Sequence, residues 1–189
     1  MVLHPPADMP SDSHTTDRNA FRRTLGHFCT GVVVVTALDD GMPVGMTCQS
    51  FSSLSLDPPL VMFSPAHTST TWPRIRRAGQ FAVNILAASQ EALCRTFAVS
   101  GADKFSAVTW RPGLTGAPLL DGSVAHIECR LESVTSGGDH DIVIGAPVAM
   151  AELGNLDPLL FFRGAYGRFA LINRAERGAD IDPEGNVAT

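Results

Sequence analysis

Gly45-Met46-Thr47-Cys48-Gln49-Ser50-Phe51-Ser52-Ser53-Leu54-Ser55-Leu56-Asp57-Pro58-Pro59 reads as a strand that carries four serines and one threonine. A strand buried in a core has no use for so many hydroxyls, because each would need a hydrogen-bond partner away from water. A strand laid along a flat polar ligand does. Side chains alternate across a strand, so the hydroxyls at 47, 50, 52, 53 and 55 cannot share one face. One set lines the ligand while the other packs or caps the turn. A Ser-rich edge strand with no ligand is the plainer reading of the same letters. Asp57-Pro58-Pro59 closes the segment, since proline cannot donate to a ladder.

Upstream, Asp17 is placed as a helix N-cap, with Phe21, Leu25 and Phe28 at i, i+4 and i+7 and Gly31 as the stop. Val32 to Val35 is a β-branched run, and Asp39-Asp40-Gly41 is a hairpin turn back into the opening segment. Downstream, Leu60 to Phe63 is a short strand, followed by a loop from Ser64 to Thr71 and a helix around Trp72 to Arg77. Phe81-Ala82-Val83-Asn84-Ile85-Leu86 is another strand, and Ser89 caps a helix running to about Ala98. Residues 101–120 read as irregular. From Val124 the chain alternates, with Ala125, Ile127, Cys129 and Leu131 on one face and His126, Glu128, Arg130 and Glu132 on the solvent face. Ser136-Gly137-Gly138-Asp139 turns it, Ile142 to Met150 runs back, and Leu159 to Arg163 is a last strand. About six or seven strands at hairpin spacing, with three helices, favour a closed antiparallel barrel over a doubly wound sheet.

At 189 residues the chain makes one domain, expected over 18–169, with polar tails at 1–17 and 170–189. Only 17% of residues are charged, which is sparse for this surface and points to burial in an oligomer. The net charge of −5 argues against a nucleic-acid binder. The one dense basic cluster, Arg74, Arg76 and Arg77, reads as a solvated helix face. No apolar run approaches the roughly 20 residues of a membrane span, and residues 1–17 lack the apolar centre of a secretory signal. Cys29, Cys48, Cys94 and Cys129 are scattered, with no His at ligand spacing; they read as reduced, buried thiols of a cytoplasmic protein, and no metal site is expected.

Several constellations carry possible chemistry. In His67-Thr68-Ser69-Thr70-Thr71, four hydroxyls lead into a helix, a setting suited to an anion. Simple N-capping would need only one of them. His140, after Gly137-Gly138-Asp139, sits at a hairpin mouth where it meets a ligand or is merely exposed. Arg163-Gly164-Ala165-Tyr166 brings a cation and an aromatic out of an apolar strand, for phosphate and stacking or as the cover of a barrel end. Lys104 places an ammonium near a phosphate or belongs to a solvated turn. No nucleophile–base motif, paired carboxylates, P-loop or dinucleotide fingerprint is present, so any reactivity is that of a cofactor.

Five of these elements in order resemble the short-chain flavin reductases, the reductase components of two-component flavin-dependent monooxygenases. They are Phe28-Cys29-Thr30-Gly31-Val32, the segment from Gly45 to Pro59, Phe81 to Leu86, Gly137 to His140 and Phe161-Phe162-Arg163-Gly164-Ala165-Tyr166. The resemblance spans about Phe21 to Phe169. It implies an antiparallel split β-barrel with Greek-key connections, of the FMN-binding type, with flanking helices. It also implies a homodimer and reduction of FAD or FMN by NADH (NADPH as an alternative), with reduced flavin released to a partner monooxygenase.

Carried over by position, Val44, Gly45, Met46, Thr47, Gln49 and Ser50 flank the flavin ring and ribityl chain. Ser64, Pro65, Ser69, Thr70 and Thr71 hold its phosphate, with Ala98, Val99 and Lys104 as further contacts. His140 orients the nicotinamide, and Arg163, Gly164, Ala165 and Tyr166 take the NAD side. Hydride transfer of this kind needs two stacked rings at roughly 3–3.5 Å and donors where negative charge develops, with no side-chain nucleophile. The phosphate loop departs from many relatives in having His67 where they carry Lys or Arg, which makes Lys104 the expected charge partner and suits a flavin that is released. A non-catalytic flavin-binding or storage protein on the same fold is the alternative. A pyridoxamine-phosphate-oxidase-like enzyme would need an Arg-rich phosphate site, which is not found, and an interaction module without cofactor would bind no flavin.

Overall fold

Val32 to Val35 offers no polar side chain to water on either face, so this stretch must be covered on both sides. The computed structural model describes residues 17–101 and 103–171; the tails expected at 1–17 and 170–189 fall almost wholly outside the described residues. In chain order the elements are α1 (Arg18–Leu25), β1 (Thr30–Gly31), β2 (Val33–Asp39), β3 (Met42–Cys48), β4 (Ser52–Leu56), β5 (Pro59–Phe63) and α2 (Trp72–Ala78). There follow β6 (Gln80–Ile85), a 3-10 turn, α3 (Glu91–Ala98), β7 (Trp110–Pro112) and β8 (Pro118–Leu120). The long hairpin β9 (Ala125–Gly137) and β10 (His140–Glu152) and the short hairpin β11 (Leu159–Phe162) and β12 (Ala165–Arg168) complete the chain.

Every strand pair is antiparallel. The main sheet has the order β3-β2-β6-β9-β10-β5-β4. Val44 and Cys48 of β3 share one core cluster with Val61 and Phe63 of β5, near the opposite end of that order. The sheet therefore curls into a barrel that stays open along a seam between its free edges, β3 and β4. Val33, Val35 and Ala37 of β2 point into this core. Val32 and Val34 pack on the other face beneath α3, with Leu86, Cys94, Phe97, Leu120 and Leu159. Gly145 is required inside the barrel, because a Cβ there would meet Phe81 Cζ at 2.5 Å. A smaller sheet, β1-β11-β12, and a hairpin, β7-β8, flank the barrel.

The structure changes several sequence readings. Helix α1 begins at the Asp17 cap, whose carboxylate accepts the Asn19 and Ala20 N–H groups, but it ends at Leu25. Phe28 lies beyond it, and Gly31 pairs with Leu160 as part of β1. The segment from Gly45 to Pro59 is two strands broken at Gln49-Ser50-Phe51. Residues 101–120 contain β7 and β8, which the absence of alternation in such short strands concealed.

His126 and Glu128, read as solvent-facing, are 4% and 6% exposed because the 109–121 region covers that face. The Glu128 carboxylate accepts from Leu114 N–H (3.0 Å), Thr115 N–H (2.7 Å) and Thr115 Oγ1 (2.8 Å). Burial pushes its pKa up, but the Thr115 and Leu114 donors outweigh this and hold it low. Cys29 is exposed, while Cys48, Cys94 and Cys129 are buried as expected. Arg74 and Arg77 are not a free solvated face. Together they grip Asp39, itself 3% exposed, through Nε of Arg74 (2.8 Å) and Nε and Nη2 of Arg77 (2.9 and 2.6 Å).

The hydrogen bonds and charges of Arg77 and Arg74 hold the Asp39 carboxyl below the usual carboxylate range. A carboxyl lowered in the folded state stabilises fully above its unfolded value of about 3.9, and that contribution is lost as pH falls through the lower folded value. Asp39→Asn is therefore expected to lower the urea midpoint at pH 7. The gap to wild type should narrow as pH falls through the lowered folded-state value of Asp39, below which both carry a neutral side chain. A gap independent of pH would show that the ion pair is not its source.

Candidate functional site

At the seam the barrel replaces a strand ladder with side-chain bonds. Ser50 Oγ accepts the Ser64 N–H at 2.8 Å and donates to Ser64 O at 3.1 Å. On the outer side, Thr47 Oγ1 donates to Cys94 O (2.7 Å). Lys104 Nζ donates to Gly45 O and Phe97 O, both at 3.0 Å. These bonds fasten the unpaired edge of β3 to α3. Gly45 permits the approach, since a Cβ there would lie 2.7 Å from Phe97 Cε1. Between the two sides of the seam lies a cleft of about 540 Å³, within the range of small-molecule sites. Met46 to Ser50 form one wall and Ser64, Pro65, Ala66, Thr68 and Ser69 the other.

The loop from Ser64 to Thr71 is held from two directions. Ser69 Oγ accepts the Trp72 N–H (3.1 Å) and so caps α2. The hydroxyls of Thr68, Thr70 and Thr71 make no hydrogen bond among the described residues, so the surplus seen in the sequence is real and unspent. Asp141 accepts the Trp72 indole N–H at 2.7 Å and pairs with His67 Nε2 at 3.0 Å. The indole bond, and after it His67, keep the Asp141 carboxyl below the usual range. Backbone bonds from His67 N–H to Asp139 O (2.9 Å) and from Asp141 N–H to Pro65 O (3.0 Å) complete the tether. His140, at the start of β10, lines the cleft with its Nδ1 2.7 Å from Asp139 Oδ1, which leaves Nε2 uncommitted.

The remaining wall is aromatic. Tyr166 of β12 packs edge-on against Phe161 with centroids 5.1 Å apart, and the Arg95 guanidinium lies 4.7 Å from its ring centre. Its Oη is 3.2 Å from Cys94 Sγ. Burial, then the Cys94 contact, push the phenol up to about 12, so it stays neutral. Burial likewise raises the Cys48 thiol, which lines the cleft without becoming a thiolate nucleophile.

Of the sequence-predicted site residues, Met46, Thr47, Gln49, Ser50, Ser64, Pro65, Ser69, Thr71, Ala98, Val99, Lys104, His140 and Tyr166 line this one cleft. Val44, Gly45 and Thr70 line a neighbouring one. Arg163 and Gly164 form the β11–β12 turn with φ of 50° and 82°, and line a separate cleft with Arg22, Arg23 and His27. The turn carries Arg163 and Gly164 away from Tyr166, so the structure does not bring Arg163, Gly164 and Ala165 to the main cleft. Lys104, expected as a free phosphate partner, is 8% exposed and spends two of its three N–H donors on carbonyls. Thr68, read as one of the loop hydroxyls suited to an anion, lines the cleft too, and so do Cys48, Ala66, Phe97, Ser100 and Phe161, which were not singled out. Position within the motifs could have flagged Cys48 and Phe161; nothing local marks Ser100. Among the described residues no group of three or more His, Cys, Asp or Glu side chains is placed to hold a metal ion.

The model of a family described as the flavin reductase like domain matches residues 25–170. The reductase subunit of a flavin-dependent monooxygenase from Rhodococcus jostii is 49% identical over 150 residues, covering 79% of this chain and 77% of the relative. An NADH-dependent FMN reductase from Agrobacterium fabrum is 42% identical, covering 80% of this chain and 86% of the relative. Among solved structures, the NADH:FAD oxidoreductase of Streptomyces globisporus, determined with NAD and FAD fragments, is 41% identical with a TM-score of 0.78. That match covers 82% of this chain and 93% of the other.

Ser50→Ala removes both bonds across the seam and is expected to cost about 1 kcal/mol, a modest figure because the site is wet. Hydrogen exchange at the Ser64 amide should quicken roughly fivefold, the factor that this energy represents, while β2 amides stay protected. Unchanged exchange at Ser64 would mean that something other than Ser50 closes the seam.

Proposed function

The chain belongs to the flavin reductase like domain family, and from that premise we propose that it is an NADH-dependent flavin oxidoreductase serving a separate flavin-dependent monooxygenase. The observation that carries the reading is the seam cleft, where unspent hydroxyls face an aromatic wall in a space sized for a heterocycle. Two of the relatives named above are by name NADH-dependent reductases of FMN or FAD, and the third is the reductase subunit of a flavin-dependent monooxygenase. The flavin, when bound, supplies the redox chemistry by accepting hydride from the nicotinamide.

The donor set suits a flavin. Met46 to Ser50 present the unpaired edge of β3, whose backbone groups have no partner strand, to the polar edge of a ring. Gln49 offers an amide, and Thr68 and Thr71 offer free hydroxyls to the phosphate. Ser69 acts behind them by capping α2. His67, committed to Asp141, positions the loop and does not replace a phosphate-binding Lys or Arg. Few cations touch the flavin end, which agrees with a ligand that is held briefly and passed on. His140 and Tyr166 form the opposite side, where the nicotinamide is placed: Tyr166 as a neutral surface, His140 with a free Nε2.

The same proposal includes a homodimer. Helix α1 buries no residue, and Phe21, Leu25, Phe28 and Phe162 are 55%, 54%, 76% and 43% exposed. An apolar surface of that kind is a normal subunit contact. Among the described residues no helix is long and apolar enough to cross a membrane. A cytoplasmic location belongs to the proposal and is supported by the four unpaired cysteines.

Loss of NADH absorbance at 340 nm should require added FAD or FMN, and its absence with both flavins and both nicotinamide nucleotides would overturn the reading. Flavin binding without turnover would instead indicate a storage protein. Thr68→Val with Thr71→Val should raise the flavin KM about tenfold or more, from the loss of hydrogen bonds to a charged group, and leave the NADH KM within about twofold. His140→Ala should show the reverse partition. An exchange of these two patterns would mean that the flavin and nicotinamide ends are assigned backwards.

A further inference from the structure

The hydroxyl run Thr68-Ser69-Thr70-Thr71 is bracketed by two side chains that share one carboxylate. Asp141 Oδ1 lies 3.0 Å from Nε2 of His67, the residue just before the run. Asp141 Oδ2 accepts the indole N–H of Trp72, the residue just after it, at 2.7 Å. Thr68, Ser69 and Thr71 line the seam cleft, whereas His67, Trp72 and Asp141 do not. The carboxylate thus grips both ends of the run from behind. The two ends differ in firmness. Trp72 is 3% exposed and packs edge-on against Phe63 with ring centroids 5.8 Å apart, so that end is tied to the barrel core. The His67 side chain is 45% exposed and depends on the carboxylate for its place. Just upstream, Ala66 forms a single antiparallel bridge with His140, and both line the cleft. The next residues along, His67 and Asp141, meet on the opposite side, as alternation along paired strands requires.

Four residues joined only at their ends have many conformations, and ordering them at the moment of binding costs affinity. A clamp that orders them beforehand removes that cost. We propose that Asp141 is a positioning residue for flavin binding, holding the hydroxyl run in one shape without touching the ligand. The inference rests on the flavin-reductase reading of the seam cleft. Trp72, and after it His67, keep the Asp141 carboxyl below the usual range, so both of its oxygens remain acceptors at neutral pH. Ser69 adds an inner brace, its Oγ accepting the Trp72 N–H at 3.1 Å. With Ser69 spent in this way, the clamp serves the hydroxyls that stay free, those of Thr68 and Thr71 in the cleft. His140 is placed by the backbone bridge and by Asp139, so the nicotinamide side does not depend on the clamp.

Asp141→Ala and His67→Ala test this, the second at an exposed side chain whose loss spares the core. Asp141→Ala should raise the flavin KM at least about tenfold and His67→Ala about threefold, the scale of two lost bonds and of one. The kcat at saturating flavin and the NADH KM should stay within about twofold of wild type. A merely structural role would instead lower the active fraction, seen in kcat, and leave the flavin KM alone. Asp141→Asn, whose amide can keep both bonds, should return the flavin KM to within about threefold of wild type. The double variant Asp141→Ala with His67→Ala should bind flavin no more weakly than Asp141→Ala alone, because both changes break the same contact. Dissociation constants from flavin fluorescence should follow the same order. An unchanged flavin KM in both single variants, additive effects in the double variant, or Asp141→Asn as impaired as Asp141→Ala would each overturn the clamp while wild-type turnover keeps the reading of the cleft. Failure of wild type to bind flavin or to oxidise NADH would remove both readings together.

Discussion

The Ser50–Ser64 clasp is the constraint from which the site follows. Strands β3 and β4 are consecutive in the chain and lie at the two free ends of the sheet, joined only by Gln49-Ser50-Phe51. A regular ladder between them would close the barrel and consume every backbone group along the seam. Instead one serine holds the two sides together by its side chain, and the neighbouring polar groups stay available to a ligand. An open sheet edge is ordinarily a hazard, because it invites pairing with other chains. Here Thr47, Lys104 and α3 cover it, and the opening that remains is the cleft.

The scaffold beneath the seam is stiffened by polar groups buried with their partners. Asn84 Nδ2 donates to Val34 O (3.1 Å) and Thr36 Oγ1 (3.0 Å), while Asn84 Oδ1 accepts the Leu120 N–H (2.8 Å). Thr36 Oγ1 in turn reaches Pro118 O at 2.6 Å. Together they fix β8 against β2 and β6 with groups that cannot be satisfied in another register. His126 Nε2 lies 3.0 Å from Leu120 O, and its buried Nδ1 has no partner among the described residues; burial lowers its pKa and so disfavours the charged form. The loop from Ser64 to Thr71, which faces the cleft, is fastened by the Ser50 and Asp141 side chains and by backbone bonds to Asp139 and Asp141.

How much of this was legible in the sequence depended on where the signal lay. The β-branched run, the Asp39–Gly41 turn and the long β9–β10 hairpin were readable because period and turn chemistry are local. The surplus of hydroxyls at 68–71 was readable too, since capping explains only one of them. What escaped were facts set by distant contacts. Nothing near Arg74 and Arg77 announces Asp39, and nothing in the alternation of β9 reveals that the 109–121 segment buries Glu128 and His126. Lys104 looked like a free cation because its two carbonyl acceptors, Gly45 and Phe97, come from separate elements. The serines at 52, 53 and 55 looked like ligand groups, yet they lie on β4 outside the cleft; a break of strand geometry at Ser50 is invisible to a period-2 pattern.

The central claim is that the flavin ring occupies the seam. A crystal structure of the protein with FAD tests it most directly. The account predicts isoalloxazine density between Met46–Ser50 and Ser64–Ser69, with the phosphates towards Thr71 and Lys104. Ring density anywhere else, above all in the cleft of Arg22, Arg23, His27 and Arg163, would contradict it.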